Sequence, residues 1–327
     1  MFPRDTVFGV FLIFQLCIGV PGNSFLFLLY MHTFLFQHHV KKIMDPIFSL
    51  LMLANTLTIT FTLIPHIMSS FEVRWFWDNV GCKAVLYTYR VTRGVSLCTT
   101  SLLSAFQAIT VSPNNSKWAW LKCKLSTWTC PWFLFFWILN MLIYIRIIET
   151  VTARSNFTLV GHGYVDAYCQ TRQFGNQNSG TYILSLLVIR DLVSVLLMIS
   201  TSLYMVNLLY RHRRRAQHLH SPHVSSQTSP EHKATRTILL LVGWFVFFYF
   251  SNNCLTLYLF YAHKKIPSLE GISTVLSSCY PTICPFLLMK NNKIVSQLIS
   301  SFSLTRITGS HGIFNGLTSQ ALTEESP

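Results

Sequence analysis

The chain has 327 residues, of which 51% are hydrophobic and only 11% charged, with a formal net charge of +14. Soluble domains carry roughly 25% charged residues, so a chain this long and this poor in charge is not a water-soluble globule. Its basic excess does not by itself point to nucleic acid, because in a membrane protein positive charge acquires meaning from the side of the bilayer on which it falls.

In chain order, residues 1–6 are short and polar, with Arg4 and Asp5, and no further Lys, Arg, Asp or Glu appears until Lys41. A helical crossing needs about 20 apolar residues, which residues 7–31 supply. A secretory signal would have an apolar core of only about 7–15 residues and a small-residue cleavage site, so 7–31 reads as a span. Pro21-Gly22-Asn23 interrupts it, a break that neighbouring helices must satisfy. The second expected span is 47–70, with Asn55 inside and a kink at Pro65. The third, 82–113, opens on Cys82, carries Arg90 and Arg93, and ends at Pro113. Charge inside a bilayer-length segment is costly and usually faces a bundle interior, so this segment reads as the central helix. The fourth is 126–145, with Trp128, Trp132 and Trp137. The fifth is 181–209, with Arg190 and Asp191. The sixth is 237–261, rich in Phe and Tyr, and the seventh is 271–289, with Pro281 and Pro285. The expected fold is an all-α membrane protein, a seven-transmembrane helix bundle over 7–289 followed by a tail, 290–327.

Seven crossings put the termini on opposite sides. Fourteen lysines and arginines fall in the tail and the segments between spans one and two, three and four, and five and six; seven fall in the other set. The positive-inside rule therefore predicts an extracellular N-terminus and a cytoplasmic tail at the plasma membrane. The basic loop 211–236, with Arg211, Arg213, Arg214, Arg215, Lys233 and Arg236, reads both as a face toward anionic lipid and as a docking surface for a cytoplasmic partner. After Met289, the apolar residues Ile294, Val295, Leu298, Ile299 and Phe302 share one helical face. This predicts a short amphipathic helix at about 292–303 on the inner membrane surface, with a disordered Gly/Ser/Thr end beyond Arg306.

On this topology only Cys82 and Cys169 of the nine cysteines lie outside, where disulfides persist. They are expected to bond and to draw the loop 149–180 over the outer mouth. Asn156-Phe157-Thr158 in that loop is a glycosylation acceptor; Asn114-Asn115-Ser116, on the cytoplasmic side, is expected to stay unmodified. Arg90 and Arg93 share a helical face, about 10 and 15 Å below the outer end. Arg190 and Asp191 reach similar depths, and adjacent helical residues point to different faces. Asp191 is therefore expected to pair with Arg93 or Arg90 rather than with Arg190. The result is an excess of positive charge in the outer half. It suits a pocket for an anionic or strongly polar head on an apolar body, with Tyr89, Arg90, Arg93, Arg190 and Asp191 as candidates. A closed structural network of the same side chains is the competing reading. Asn23 and Asn55, in mid-span, are expected to hydrogen-bond between helices. The chain has no H-E-x-x-H, G-x-S-x-G or phosphate-loop motif, and His66 and His162 stand alone. No enzyme, cofactor or metal site is expected.

Several runs resemble the vomeronasal type-1 receptor family of G-protein-coupled receptors. They are Gly22-Asn23-Ser24, Ala54-Asn55, the run from Arg90-Val91-Thr92-Arg93-Gly94 to Thr99-Thr100, and Phe106-Gln107 through Ser112-Pro113. Further along come Trp118, Leu121-Lys122, His220-Ser221-Pro222, Ser229-Pro230-Glu231 and Tyr280-Pro281-Thr282-Ile283. The resemblance covers about residues 20–303. It implies a pheromone or odorant receptor of vomeronasal sensory neurons, coupling to an inhibitory-type heterotrimeric G protein, with sulfated steroids and other small molecules among the ligand classes. It also implies that Ile109-Thr110-Val111 stands where larger receptor classes carry Asp-Arg-Tyr, and Asn55 where they carry Asp. Tyr89 stands where relatives are expected to carry His, and Tyr does not titrate near neutrality. The expected inner cleft is bounded by Ser112-Pro113, the 211–236 loop and the helix after Met289. A bitter-taste-type receptor shares the architecture, and a small-solute transporter is the non-receptor alternative. The third-span run argues against the first, and the lack of an internal repeat against the second.

Overall fold

The computed structural model describes residues 4–36, 44–71, 78–113, 119–145, 147–153, 169–171, 177–219, 230–261 and 267–289. Residues 1–285 form one compact unit; of the second, 286–327, only the end of the last helix is described. The elements in order are α1 (Arg4–Phe36), α2 (Asp45–Ser70), α3 (Asn79–Val111), α4 (Ala119–Tyr144), the single turn α5 (Ile147–Thr150), β1 (Val151–Ala153), β2 (Cys169–Thr171), α6 (Gln177–Leu219), α7 (Pro230–Tyr261) and α8 (Pro267–Met289).

Six of these helices are long and apolar enough to cross a membrane: α1, α2, α3, α6, α7 and α8. Among the described residues the fourth expected crossing, in α4, shows the apolar stretch Pro131–Tyr144. The all-helical expectation also missed a short ribbon. β1 and β2 pair antiparallel, with Val151 opposite Thr171 and Ala153 opposite Cys169. Several helices outrun their apolar cores. Much of the expected loop 211–236 is helical, because α6 runs on to Leu219 and α7 begins at Pro230. Arg, Gln, Ala and Leu are good helix formers, and Pro suits the first helical position. The expected surface helix at 292–303 lies outside the described residues.

α3 is the axis of the bundle. In its apolar window 72% of the residues are buried, against 28% in α1 and 17% in α6. Asp78 caps its start, accepting from the Gly81 N–H at 2.7 Å and satisfying one of the orphan donors at the helix end. One core cluster joins Leu50 and Ala54 of α2 to Val91 and Val95 of α3, with Phe133, Trp137 and Tyr144 of α4 against it. The outward faces of α6 and α7 show Leu192, Leu196, Leu203, Phe247 and Phe250, as expected of helices solvated by lipid.

The junction of α1 and α8 shows how in-helix prolines are accommodated. Pro285 has no N–H, so the Pro281 carbonyl one turn back loses its helical donor. Asn23 supplies one instead, donating through Nδ2 to that carbonyl at 2.9 Å and to the Gly19 carbonyl at 2.8 Å. A Cβ on Gly22 would lie 3.2 Å from Pro285 Cγ, and one on Gly19 3.0 Å from Thr282 Oγ1, so both glycines ease the close approach of α1 to α8.

Candidate functional site

The ribbon is tied to the start of α3 by a disulfide between Cys82 and Cys169, whose Cα atoms are 5.7 Å apart. With Leu86 and Val151 the two cysteines form a buried cluster on which Tyr89 packs. The ribbon thus sits over the α3 face that leads inward to Arg93.

Arg93 sits one turn below Tyr89. Its Nη1 donates to the Tyr89 hydroxyl at 2.8 Å. The Asn252 amide of α7 is oriented by its neighbours: its nitrogen donates to the Ser273 carbonyl at 2.9 Å and Oγ at 3.0 Å. Its oxygen accepts from Arg93 Nη1 at 2.9 Å and Nη2 at 2.8 Å. The guanidinium also lies 5.2 Å from the centroid of the Tyr249 ring, a contact worth up to about 2 kcal/mol when desolvated. All of these partners are neutral. Among the described residues no carboxylate lies in ion-pair reach of Arg93. The expected Asp191–Arg93 or Asp191–Arg90 pair does not form. Arg90 lies with its guanidinium 5.7 Å from the Tyr89 ring centroid.

Asp191 pairs instead with its neighbour Arg190, through Nε at 2.9 Å and Nη2 at 2.7 Å. The expectation went wrong because it used Cβ directions alone, and an arginine stem is long enough to bring its head around the helix. The pair is held by three other helices. Arg190 Nη1 donates to Asn140 Oδ1 at 2.6 Å and Nη2 to the Tyr144 hydroxyl at 3.2 Å, both on α4. Tyr249 of α7 donates to Asp191 Oδ2 at 2.5 Å. The cluster rests on α3 at Gly94, where a Cβ would overlap the Asn140 amide oxygen and lie 2.7 Å from Arg190 Nη1.

Beside this network is a small cleft, open on one side, with about 20 Å³ of space for water-sized occupants. Among the described residues Arg93 is its one charged lining residue. Thr58, Ser96 and Ser277 present hydroxyls, and Phe245, Phe248 and Tyr249 present rings. Tyr89, Arg90, Arg190 and Asp191 do not line it. Asn55 stands just beneath, accepting from Ser96 Oγ at 2.9 Å. An apolar wall with a single cation is a usual make-up for a small-molecule site. Asn140, Tyr249 and Asn252 were missed in the sequence. The signal that singled out Asn23 and Asn55, an amide within a bilayer-length run, also marks Asn140 and Asn252.

At the opposite end of the bundle α3 is pinned by neutral hydrogen bonds. Ser104 Oγ lies 2.6 Å from Thr201 Oγ1, Ser112 Oγ lies 3.0 Å from the Tyr204 hydroxyl, and Gln107 Nε2 donates to Thr235 Oγ1 at 3.2 Å. Ser112 is buried, whereas Pro113, Arg211, Arg214 and Arg236 are exposed. The side chains of Arg213, Arg215 and Lys233, and all of Asn156, lie outside the described residues.

The family described as "Vomeronasal organ pheromone receptor family" matches residues 6–301. Vomeronasal type-1 receptor 4 of Pongo pygmaeus is 36% identical over 284 residues, 87% of this chain and 94% of that protein. Its Homo sapiens counterpart is 36% identical over 275 residues, 84% and 91% of the two chains. Vomeronasal type-1 receptor 101 of Rattus norvegicus is 33% identical over 305 residues, 91% and 95%. A match of this extent, on a bundle with six bilayer-length helices among the described residues and a disulfide-bridged ribbon, means that the chain belongs to the vomeronasal type-1 receptor family of pheromone-sensing G-protein-coupled receptors.

Proposed function

We propose that α4 is the seventh crossing, that the N-terminus faces outward, and that the receptor takes a small ligand with an anionic or strongly polar head and an apolar body. The head sits at Arg93 and the body among Phe245, Phe248 and Tyr249. Occupation shifts the helices between two arrangements and opens the end at Ser112, Gln107 and Thr235 to an inhibitory-type G protein in vomeronasal sensory neurons. A ligand drives such a shift only by its difference in affinity for the two arrangements. The observation that carries this reading is the Arg93 guanidinium, which lines the cavity and, among the described residues, is held by neutral partners alone. The positive bias of the segments joining this end supports the orientation. The basic ends of α6 and α7, with Arg211, Arg214 and Arg236 exposed, support docking of a partner there.

The test is a panel of small anionic amphiphiles and their neutral counterparts on cells that display the full chain, read out by inhibitory-type G-protein activation alongside uptake. Activation without uptake supports the reading. Uptake without activation would favour a transporter and overturn it.

A further inference from the structure

Resting on the Arg93 reading above, we propose that the cavity is a carboxylate site, entered at one edge of the Arg93 guanidinium, and that Asn252 is the residue that keeps this edge charged and aimed. A guanidinium has five N–H donors in a fixed planar fork. The chain uses three: Nη1 gives one to Tyr89 and one to the Asn252 oxygen, and Nη2 gives one to the same oxygen. The end-on side of the fork is therefore closed by the protein. What remains is the Nε–H and the second Nη2–H, which point the same way along the side-on edge. Nε has no protein partner among the described residues, yet it is not one of the sealed, unpartnered polar atoms of the interior. Arg93 lines the cavity; on this proposal the free edge is the one a ligand there meets.

The remaining polar wall decides which anion fits. The Thr58 hydroxyl donates to the Ala54 carbonyl at 2.8 Å, Ser96 to Asn55 Oδ1 at 2.9 Å, and Ser277 to the Thr274 carbonyl at 2.8 Å. Tyr249 gives its hydrogen to Asp191. The Tyr280 hydroxyl, the remaining polar lining group, lies 3.2 Å from Thr100 Oγ1. Each of these hydroxyls thus has a hydrogen-bond partner in the chain, and Arg93 supplies the free donors. Two parallel N–H groups match the two oxygens of a carboxylate. A sulfate or phosphate would leave a third charged oxygen facing acceptors, at the cost of an unmet buried charge. Asn252, 4% exposed, is a positioning residue: it fixes the plane of the fork with a neutral oxygen. An acid in its place would neutralise the guanidinium without touching the free edge.

The experiment is equilibrium binding of three probes on one skeleton, 2-naphthoate, 2-naphthyl sulfate and 2-naphthalenemethanol, to the full-length chain in lipid nanodiscs. The naphthoate is ionised at neutral pH. The wild type is expected to hold naphthoate about tenfold or more tighter than the neutral alcohol, and tighter than the sulfate. Asn252→Asp is expected to remove the naphthoate advantage, with the alcohol's affinity falling by less than the naphthoate's. Should that variant not fold, Arg93→Lys carries the comparison: the charge stays, the planar edge goes, and the advantage is expected to fall to a few-fold. A wild type that prefers the sulfate or shows no anion preference, or an Asn252→Asp or Arg93→Lys variant that keeps the full advantage, would overturn the proposal. Because no G protein takes part, failure of the receptor reading is seen separately.

Discussion

The Tyr249 hydroxyl donates to Asp191 Oδ2 at 2.5 Å. The ring of the same tyrosine lies against Arg93 at the cavity, 5.2 Å from its guanidinium. Tyr249 is thus the physical link between Arg93 and the Arg190–Asp191–Asn140 network that joins α4, α6 and α7. Tyr249→Phe keeps the ring and removes the link. We expect it to lower the stability of the purified chain by about 1–3 kcal/mol, read as a drop in thermal unfolding midpoint, while affinity for a ligand at Arg93 changes little. Tyr249→Leu, which also removes the cation–π contact, is expected to lower both.

Gly94 tests whether that network must press on α3. Gly94→Ala puts a methyl group where the Asn140 oxygen and Arg190 Nη1 now sit. Overpacking of this kind costs about 1–3 kcal/mol, with part of it falling on hydrogen bonds to a charged group. Lower surface expression and a lower unfolding midpoint are expected. Gly243, with nothing among the described residues within 4 Å of an added Cβ, is the control: Gly243→Ala is expected to be neutral or slightly stabilising, as Ala is the better helix former.

The Asn23–Pro281 bond yields a double-mutant cycle. In the native chain Asn23→Ala leaves the Pro281 carbonyl without its donor and is expected to cost about 1 kcal/mol. In a Pro285→Ala background the helix regains its own N–H for that carbonyl, so the cost of Asn23→Ala should shrink. Equal costs in both backgrounds would show that Asn23 acts through some other contact.

The neutral bonds at the far end of α3 hold it against α6 and α7. Thr235→Val or Gln107→Ala removes one of them. If that end is the G-protein face, basal activation should rise roughly threefold to fivefold for the loss of about 1 kcal/mol, measured as ligand-free G-protein activity at matched surface expression.

Much of this architecture could be read from the sequence, and the parts that could not share a cause. Apolar runs of bilayer length stand out because lipid demands them, and Cys82 and Cys169 stand out because the topology leaves no other outer cysteines. Helix ends beyond the bilayer follow propensity and caps, so the extension of α6 to Leu219 was invisible to hydropathy. The Arg190–Asp191 pair was misjudged because its geometry is set by Asn140, Tyr144 and Tyr249 on two other helices, and no local spacing records that. Arg93 was visible as a buried cation. Its neutral surroundings depend on Asn252, 159 positions along the chain, which only the folded bundle brings near.

The most direct measurement of the central claim is the ratio of half-maximal concentrations for an anionic ligand and its neutral counterpart, by G-protein readout, in the wild type and Arg93→Ala at matched surface display. The account predicts that the anion's advantage, about tenfold or more in the wild type, disappears in the variant. An Arg93→Ala receptor that reaches the surface and keeps the wild-type ratio would contradict it.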